Sequence, residues 1–180
     1  MRTKKLKQNT IKIWNKKLLK VFYPHETVIR FIFRSFDRKN FKNLKILDHG
    51  CGTGRHVIFL SENGIQAYGV DVAKPSLKFT KDRLKQKKLK ANLKLLTSNA
   101  LPYRDNFFDA VISFGVLYYM PKKDIIEVVN EIKRILKPNG KALFIIRSIH
   151  DYRYGLGKEI EPDTFMINTK DKTLDVYNEN

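Results

Sequence analysis

Three glycines at alternate positions, Gly50, Gly52 and Gly54, follow a short apolar run and precede an amphipathic segment. Because glycine has no Cβ, it can adopt positive φ angles and let a ligand approach the main chain closely. The free N–H groups at the start of the following helix favour an anionic ligand group. Asp71 ends the next predicted strand, where a carboxylate can accept both hydroxyls of a ribose. This spacing predicts a nucleotide-type ligand at the carboxyl ends of two neighbouring strands.

The dinucleotide fingerprint G-x-G-x-x-G is absent, because its third glycine would fall on Val57 or Arg55 in the two available registers. The segment from Asp48 to Gly54, DHGCGTG, resembles instead the first motif of class I S-adenosylmethionine (SAM)-dependent methyltransferases. SAM carries no diphosphate, so the resemblance implies that the loop wraps the methionine part of the cofactor.

Further pieces of the same family pattern follow in the expected order, and the resemblance covers about residues 44–146. They are the turn Ser98-Asn99-Ala100, the strand FFDAVIS and the loop RILKPNG. Members of the family usually carry Asp at the position of Asn99, where the carboxylate accepts a hydrogen bond from the adenine amine. The amide oxygen of Asn99 can accept the same bond without charge assistance, so we expect weaker cofactor binding.

The resemblance implies SAM as cofactor and S-adenosylhomocysteine as product. The residues that it places at the cofactor are Asp48, His49, Gly50, Cys51, Gly52, Gly54, Asp71, Val72, Asn99, Ala100 and Phe114.

The residues on the acceptor side follow the fourth and fifth predicted strands. The candidates for contact with the acceptor or the methyl group are Tyr118, Tyr119, Asp151, Arg153 and Tyr154, with His150 as the candidate base. An oxygen acceptor would need a base, and an imidazole titrates in the useful range. Each of these side chains can equally serve packing or lie in solvent, and we expect His56 to be a packing residue. The catalytic group therefore stays undetermined.

The cysteine content and the distribution of apolar residues indicate where in the cell the protein is expected. The single cysteine, Cys51, allows no disulfide framework and no thiolate metal cluster, so no metal is expected. No apolar run reaches the length of a membrane span, and the basic N-terminus lacks the apolar core of a signal peptide. We therefore expect a cytoplasmic protein without a membrane partner.

The net charge of +18 over 180 residues is concentrated in residues 1–47 and 74–94. Such basic stretches can bind nucleic acid or another acidic surface, or they can be solvated helix faces. They lack the aromatic residues of a recognised RNA-binding module, so nucleic acid is not the favoured partner.

Alternation of apolar patterns predicts an α/β protein: a Rossmann-like, doubly wound, mostly parallel sheet with helices on both faces. The predicted helices are 11–22, 25–36, 75–90 and 124–136, and the predicted strands end at 47 and cover 65–71, 93–97, 107–113 and 142–146. A hairpin is predicted from 164–168 and 173–177.

We divide the single domain into a basic N-terminal helical extension (1–43), a SAM-binding core (44–147) and a substrate-side loop and hairpin region (148–180). The family sheet has seven strands, whereas only five are predicted, which indicates abbreviated C-terminal strands or a truncated product. The edge after the fifth strand would then be open to pairing in a homodimer.

Three functions agree with these patterns. The first is a SAM-dependent methyltransferase that transfers the methyl group to a small-molecule acceptor by in-line displacement. The second is an RNA or protein methyltransferase that uses the basic N-terminal region. The third is a catalytically degenerate SAM-binding module.

Overall fold

The computed structural model describes residues 12, 14–16, 18–168 and 174–175. Five parallel strands form one sheet in the order β3-β2-β1-β4-β5. Their bounds are Lys45–His49 (β1), Gln66–Asp71 (β2), Asn92–Leu95 (β3), Phe108–Phe114 (β4) and Leu136–Ile145 (β5). The order reverses between β1 and β4, which is the switch point where ligands bind in open parallel sheets. The predicted Rossmann-like α/β fold is confirmed.

Four fully described helices cover the sheet: Glu26–Ser35 (α1), Arg55–Glu62 (α2), Lys74–Gln86 (α3) and Lys122–Ile135 (α4). Neighbouring strand residues point to opposite faces, so Ile46 and Leu47 enter different cores. One core joins Ile46 to α1, α2 and α3, and the other joins Leu47 to α4. Helices on both faces therefore bury the two sides of a nearly continuous apolar sheet.

The helix predicted over 11–22 is only partly present. Residues 12 and 14–16 are helical, but residues 18–23 are not. We call residues 18–23 the strap. Thr53 Oγ1 donates a hydrogen bond to Leu19 O at 2.9 Å, and Val21 N donates to Thr53 Oγ1 at 3.2 Å. These long-range bonds compete with the helical ones, which explains why the apolar spacing is misleading in this segment.

The C-terminal region forms a second sheet of three antiparallel strands, Lys158–Glu161 (β6), Thr164–Asn168 (β7) and Leu174–Asp175 (β8). The predicted hairpin is present as β7 and β8, although residues 173, 176 and 177 lie outside the described residues. Strand β6 was not predicted. Lys122 N, at the start of α4, donates to Glu161 Oε1 at 2.7 Å, which attaches this sheet to the core.

Strand β5 begins at Leu136, earlier than the predicted residue 142, because Leu136 already pairs with Phe108 of β4. Within the described part of the chain, no strand pairs with the outer edge of β5, so pairing there with a second copy stays a prediction. None of the helices described here has the length and apolar character that a membrane crossing requires.

Candidate functional site

The glycine loop, residues 50–54, joins β1 to α2 at the carboxyl edge of the sheet. Gly50, Gly52 and Gly54 all have left-handed φ angles, of 72°, 52° and 80°. A Cβ at Gly50 would clash with Val116, and a Cβ at Gly54 would clash with Thr80. A Cβ at Gly52 would meet nothing within 4 Å. Two of the glycines are therefore required by packing, and Gly52 is the one that borders open space for a ligand.

Hydrogen bonds from three directions hold the loop in place. Gly50 N and Cys51 N both donate to Val70 O of β2, at 2.8 and 3.0 Å. Thr80 Oγ1, on α3, donates to Gly52 O at 2.9 Å. Arg83, also on α3 and buried, donates to Thr53 O at 2.9 Å. The loop is thus fixed before any ligand arrives, which lowers the entropic cost of binding.

Asp71 at the end of β2 links the two strand ends. Its Oδ2 accepts from Gly52 N at 2.7 Å, and its Oδ1 accepts from Ala73 N at 2.7 Å. Burial raises the pKa of the Asp71 carboxyl, and the two backbone N–H groups oppose that shift without cancelling it. Each carboxylate oxygen has a second lone pair, so Asp71 can accept further bonds from ligand hydroxyls.

Asp48 is buried at the end of β1, directly before the loop. Its Oδ2 accepts no hydrogen bond from the described residues and lies 3.6 Å from His56 Nδ1. His56 Nε2, in turn, lies 3.4 Å from His25 N, which donates to it. A buried carboxylate oxygen without a donor is costly, and a cationic ligand group would satisfy it.

His49 and Cys51 have side chains that are buried. His49 Nδ1 lies 3.1 Å from Ser113 Oγ, and burial lowers the pKa of His49 to about 4. Burial also raises the pKa of the Cys51 thiol. Both groups are therefore uncharged near pH 7, and a cofactor at the loop would meet their main chain and not their side-chain charge. For His49 and Cys51 we therefore predict contact with the cofactor through backbone atoms only.

The turn after β3 is tied to α4. Asn99 Nδ2 donates to Asp124 Oδ1 at 2.9 Å and to Glu127 Oε2 at 2.7 Å. The NH2 group of Asn99 thus donates to side chains of α4. An adenine amine would donate to the other atom of the amide, the carbonyl oxygen. Of the other residues predicted here, Val72 is half-buried and Ala100 is exposed.

Phe114 ends β4 inside a cluster of rings and cations. Its ring centroid lies 4.6 Å from that of His25 and 5.3 Å from that of His56, and Arg55 Cζ lies 4.7 Å from it. The Phe114 ring therefore packs among these side chains, next to the Asp48–His56 pair. Contact between Phe114 and the cofactor remains a prediction.

The turn Leu117–Tyr119 follows β4 and carries two half-buried tyrosines. Arg147 Cζ lies 4.1 Å from the Tyr118 ring centroid and 5.7 Å from that of Tyr119. Trp14 contacts the Tyr119 ring edge-on at 5.2 Å. The N-terminal segment therefore reaches over the end of β4. Nothing in the local sequence around Trp14 predicts this contact, because its partner Tyr119 is distant in the chain.

The remaining acceptor-side candidates form a separate group. The Asp151 carboxylate pairs with Arg153 through two contacts of 2.9 Å, which lowers the pKa of Asp151 to about 2. Tyr154 Oη donates to Asp163 Oδ1 at 2.7 Å. His150 is exposed. These contacts fix side chains in the segment that leads into the three-stranded sheet. They do not identify a catalytic base.

A cavity of about 250 Å³ adjoins Tyr118 between α4 and β5. The side chains that line it are almost all apolar: Leu117, Tyr118, Ile125, Val129, Phe144, Ile146 and Arg147. Val129 was not identified as a lining residue from the sequence, because its spacing on α4 is that of a core position.

Comparison with known proteins adds a family to this geometry. A family model described as a methyltransferase domain matches residues 46–140. A demethylmenaquinone methyltransferase from a Geobacillus species is 39% identical over 109 residues, which cover 57% of this chain and 44% of that protein. A ubiquinone biosynthesis O-methyltransferase from Pelagibacter ubique is 30% identical over 123 residues, covering 68% and 50%.

A solved SAM-dependent methyltransferase from Methanosarcina mazei superimposes with a TM-score of 0.65 at 21% identity, covering 78% of this chain and 76% of that one. At this identity the likeness shows the fold alone. The chain spans half or less of the length of the two relatives named above.

Proposed function

The chain belongs to the methyltransferase-domain family, and from this premise we propose that it binds SAM at the glycine loop and methylates a small-molecule acceptor. The observation that carries the proposal is the open space at Gly52 beside Asp71. The left-handed loop, the buried carboxylates and the strand switch point occur together there. Such a convergence of polar groups at this edge is typical of a ligand site.

The residues present fit SAM. Gly52 lets the methionine part approach the main chain, and Asp48 Oδ2 needs the donor that an ammonium group would supply. The second lone pairs of the Asp71 oxygens can accept the ribose hydroxyls, and the oxygen of Asn99 can accept from the adenine amine. When bound, SAM supplies an activated methyl group on a sulfonium, which the acceptor displaces in line.

The protein's own contribution is positioning and the exclusion of water. The loop is held by Val70, Thr80 and Arg83, so the cofactor contacts need little reorganisation. Trp14 covers Tyr119 at the end of β4 and shields that edge. Good orientation of two reactants can lower a barrier by up to about 7–11 kcal/mol. An aromatic face beside a sulfonium would add a cation–π attraction of roughly 0.5–2 kcal/mol, and Tyr118 and Tyr119 are two of the aromatic residues at this edge.

We infer the class of acceptor from the size and lining of the cavity beside Tyr118. The cavity of about 250 Å³ next to Tyr118 suits a small apolar molecule, and Arg147 at its rim suits an anionic or phenolic group on that molecule. Trp14 packs against Tyr119 and so narrows the opening through which an acceptor would reach the tyrosines. A narrow opening disfavours a folded RNA or protein as acceptor.

The test uses SAM labelled in the methyl group and three acceptor pools: a filtered small-molecule extract, total RNA and total protein. We expect label in the small-molecule pool, and none when Gly52→Val replaces the wild type. Label in RNA or protein would assign the acceptor to that class and refute the small-molecule proposal. SAM binding without label in any pool would identify a catalytically degenerate module.

A further inference from the structure

Arg55, the first residue of α2, has a half-buried side chain at the carboxyl edge of the sheet. Its Cζ lies 4.7 Å from the centroid of the Phe114 ring, at the end of β4. Among the described residues, none accepts a hydrogen bond from this guanidinium, and none places a carboxylate within salt-bridge distance of it. The ring of Phe114 is therefore the one contact that holds the Arg55 cation within the described part of the chain.

Other arginines that are wholly or partly buried have oxygen acceptors. Arg83, Arg134 and Arg153 each donate to a carbonyl or carboxylate oxygen at 2.9 Å or less. Burial lowers the pKa of Arg55, because the guanidinium has lost part of its hydration. A partly desolvated cation without an acceptor is costly, and an anionic ligand group would replace the lost hydration.

The polar side chains beside the Phe114 ring are also hydrogen-bond donors. The centroid of the His25 ring lies 4.6 Å from that of Phe114, and His25 Nδ1 accepts from a backbone N–H at 3.2 Å. In the neutral ring the proton is therefore on Nε2, which can donate. A Cβ at Gly115 would meet Tyr118 Oη at 2.8 Å, so this hydroxyl lies over the main chain directly after Phe114. Donors from Arg55, His25 and Tyr118 thus lie near the end of β4.

Tyr118 connects Arg55 to the apolar cavity between α4 and β5. It lines that cavity, and together with Asp48 it opposes the lowering of the Arg55 pKa by burial, so the two side chains interact. Arg147 lies over the same tyrosine ring at 4.1 Å, so a second cation adds to the attraction for an anion. Asp48 is the acceptor proposed for the ammonium group of SAM, which leaves Arg55 for a separate, anionic group.

We propose that Arg55 binds an anionic group of the acceptor, a carboxylate or a phosphate, and that the apolar part of the acceptor lies towards the cavity lined by Tyr118. The face of the guanidinium stacks on Phe114, which leaves its N–H groups free for a bidentate contact with two oxygens. This inference rests on the proposed function, because it assigns the anion to the molecule that receives the methyl group. The carboxylate of SAM has the same chemistry, so the experiment must separate these two sources.

The first measurement compares two fluorinated probes by fluorine NMR, with and without saturating S-adenosylhomocysteine. The probes are para-fluorobenzoate and para-fluorobenzamide, which share a ring of similar size and differ in charge. We expect the benzoate to bind at least about tenfold more tightly than the benzamide, because only the benzoate can form charge-assisted bonds with a guanidinium. Equal affinities for the two probes, or binding of neither, would overturn the proposal.

Variants of Arg55 locate the preference for the anion. Arg55→Gln removes the charge and should abolish the preference, whereas Arg55→Lys keeps the charge without the planar fork and should retain part of it. Arg38→Gln is the matched control, because Arg38 also stacks on a phenylalanine, Phe33, at 5.0 Å, but precedes β1 at the opposite edge of the sheet. The control should keep the wild-type preference. A loss of the same size in Arg38→Gln would show a net-charge effect and contradict the assigned site.

Calorimetric titration with S-adenosylhomocysteine and methylthioadenosine separates the acceptor from the cofactor, because methylthioadenosine lacks the amino-acid part. We expect Arg55→Gln, folded by circular dichroism, to bind both compounds as the wild type does. Weaker binding of S-adenosylhomocysteine alone would assign Arg55 to the carboxylate of the cofactor and overturn the proposal. If the wild type binds the benzoate through Arg55 but does not bind S-adenosylhomocysteine, the anion site stands and the proposed cofactor site fails.

Discussion

The glycine loop and the segment 148–163 lie at the same edge of the fold but are built differently. In the loop, the partners of Gly50, Cys51 and Gly52 are a backbone carbonyl and a buried carboxylate. In the segment 148–163, side chains such as Asp151 and Arg153 pair mainly with each other, and part of each remains exposed. The loop geometry is thus fixed by the fold, whereas the second region can change its side chains with little cost to stability. This difference is the one expected if the loop holds the proposed cofactor and the segment 148–163 contacts the proposed acceptor.

The largest expected effect concerns the buried side of the loop. His49 has a pKa of about 4 against 6.5 when unfolded, so the unfolded chain binds more protons between those pH values. The stability that neutral His49 contributes is present above pH 6.5 and is lost as the pH falls through 4. We expect the free energy of unfolding to fall by about 3 kcal/mol more in the wild type than in His49→Gln over this window. Denaturant unfolding at several pH values measures it, and parallel curves for the two proteins would contradict the account.

Gly52→Val separates the ligand-facing glycine from the rest of the loop. The new side chain would fill the open space at a left-handed φ angle, so SAM affinity should fall at least about tenfold. Gly64→Val is the matched control, because Gly64 also has a left-handed φ, of 76°, and a Cβ added there would meet no atom within 4 Å. The control should lose comparable stability and keep its affinity. If the two variants bind SAM with equal affinity, the cofactor does not bind at Gly52.

Asp71→Ala removes the acceptor that joins the two strand ends. It deletes the bond from Gly52 N and the oxygens available to a ribose, and we expect SAM affinity to fall about tenfold while the fold survives. Asp109→Ala is the control, since Asp109 Oδ2 likewise accepts a backbone bond, from Lys45 N at 2.8 Å, at the start of β4. Calorimetric titration should find its affinity unchanged. A loss of the same size in the control would mean that Asp71 acts only through general stability.

The acceptor-side segment should show the smallest effect. Arg153→Ala breaks the pair with Asp151, and partly exposed pairs of this kind contribute about 0–1 kcal/mol. We expect SAM affinity within about twofold of the wild type and a similarly small change in thermal stability. A drop in affinity as large as that of Asp71→Ala would make this segment part of the cofactor site and remove the contrast between the two regions.

The sheet and the glycine loop were predictable because local spacing encodes them. Gly50, Gly52 and Gly54 lie within five residues, and Asp71 ends the next strand, so the pattern that marks the loop is local in sequence. The residues that hold the loop, Val70, Thr80 and Arg83, come later in the chain. The short apolar run that ends at Leu47 predicted the first strand in the same local way.

The strap was not predictable, because its structure depends on distant partners. Leu19 and Phe22 have helical spacing, yet their backbone carbonyls accept hydrogen bonds from Thr53 and Arg83, more than thirty residues away. Asn99 is similar, since its donors pair with Asp124 and Glu127 of a later helix. The local sequence carries no signal for these distant partners, so it could not predict the path of the strap or the contacts of Asn99.

The central claim is that the glycine loop is a SAM site, and calorimetric titration of the folded chain with SAM, S-adenosylhomocysteine and NAD tests it most directly. We expect micromolar binding of the two sulfur ligands, no binding of NAD, and loss of the signal in Gly52→Val but not in Gly64→Val. A chain that is folded by circular dichroism and binds neither sulfur ligand would contradict the claim.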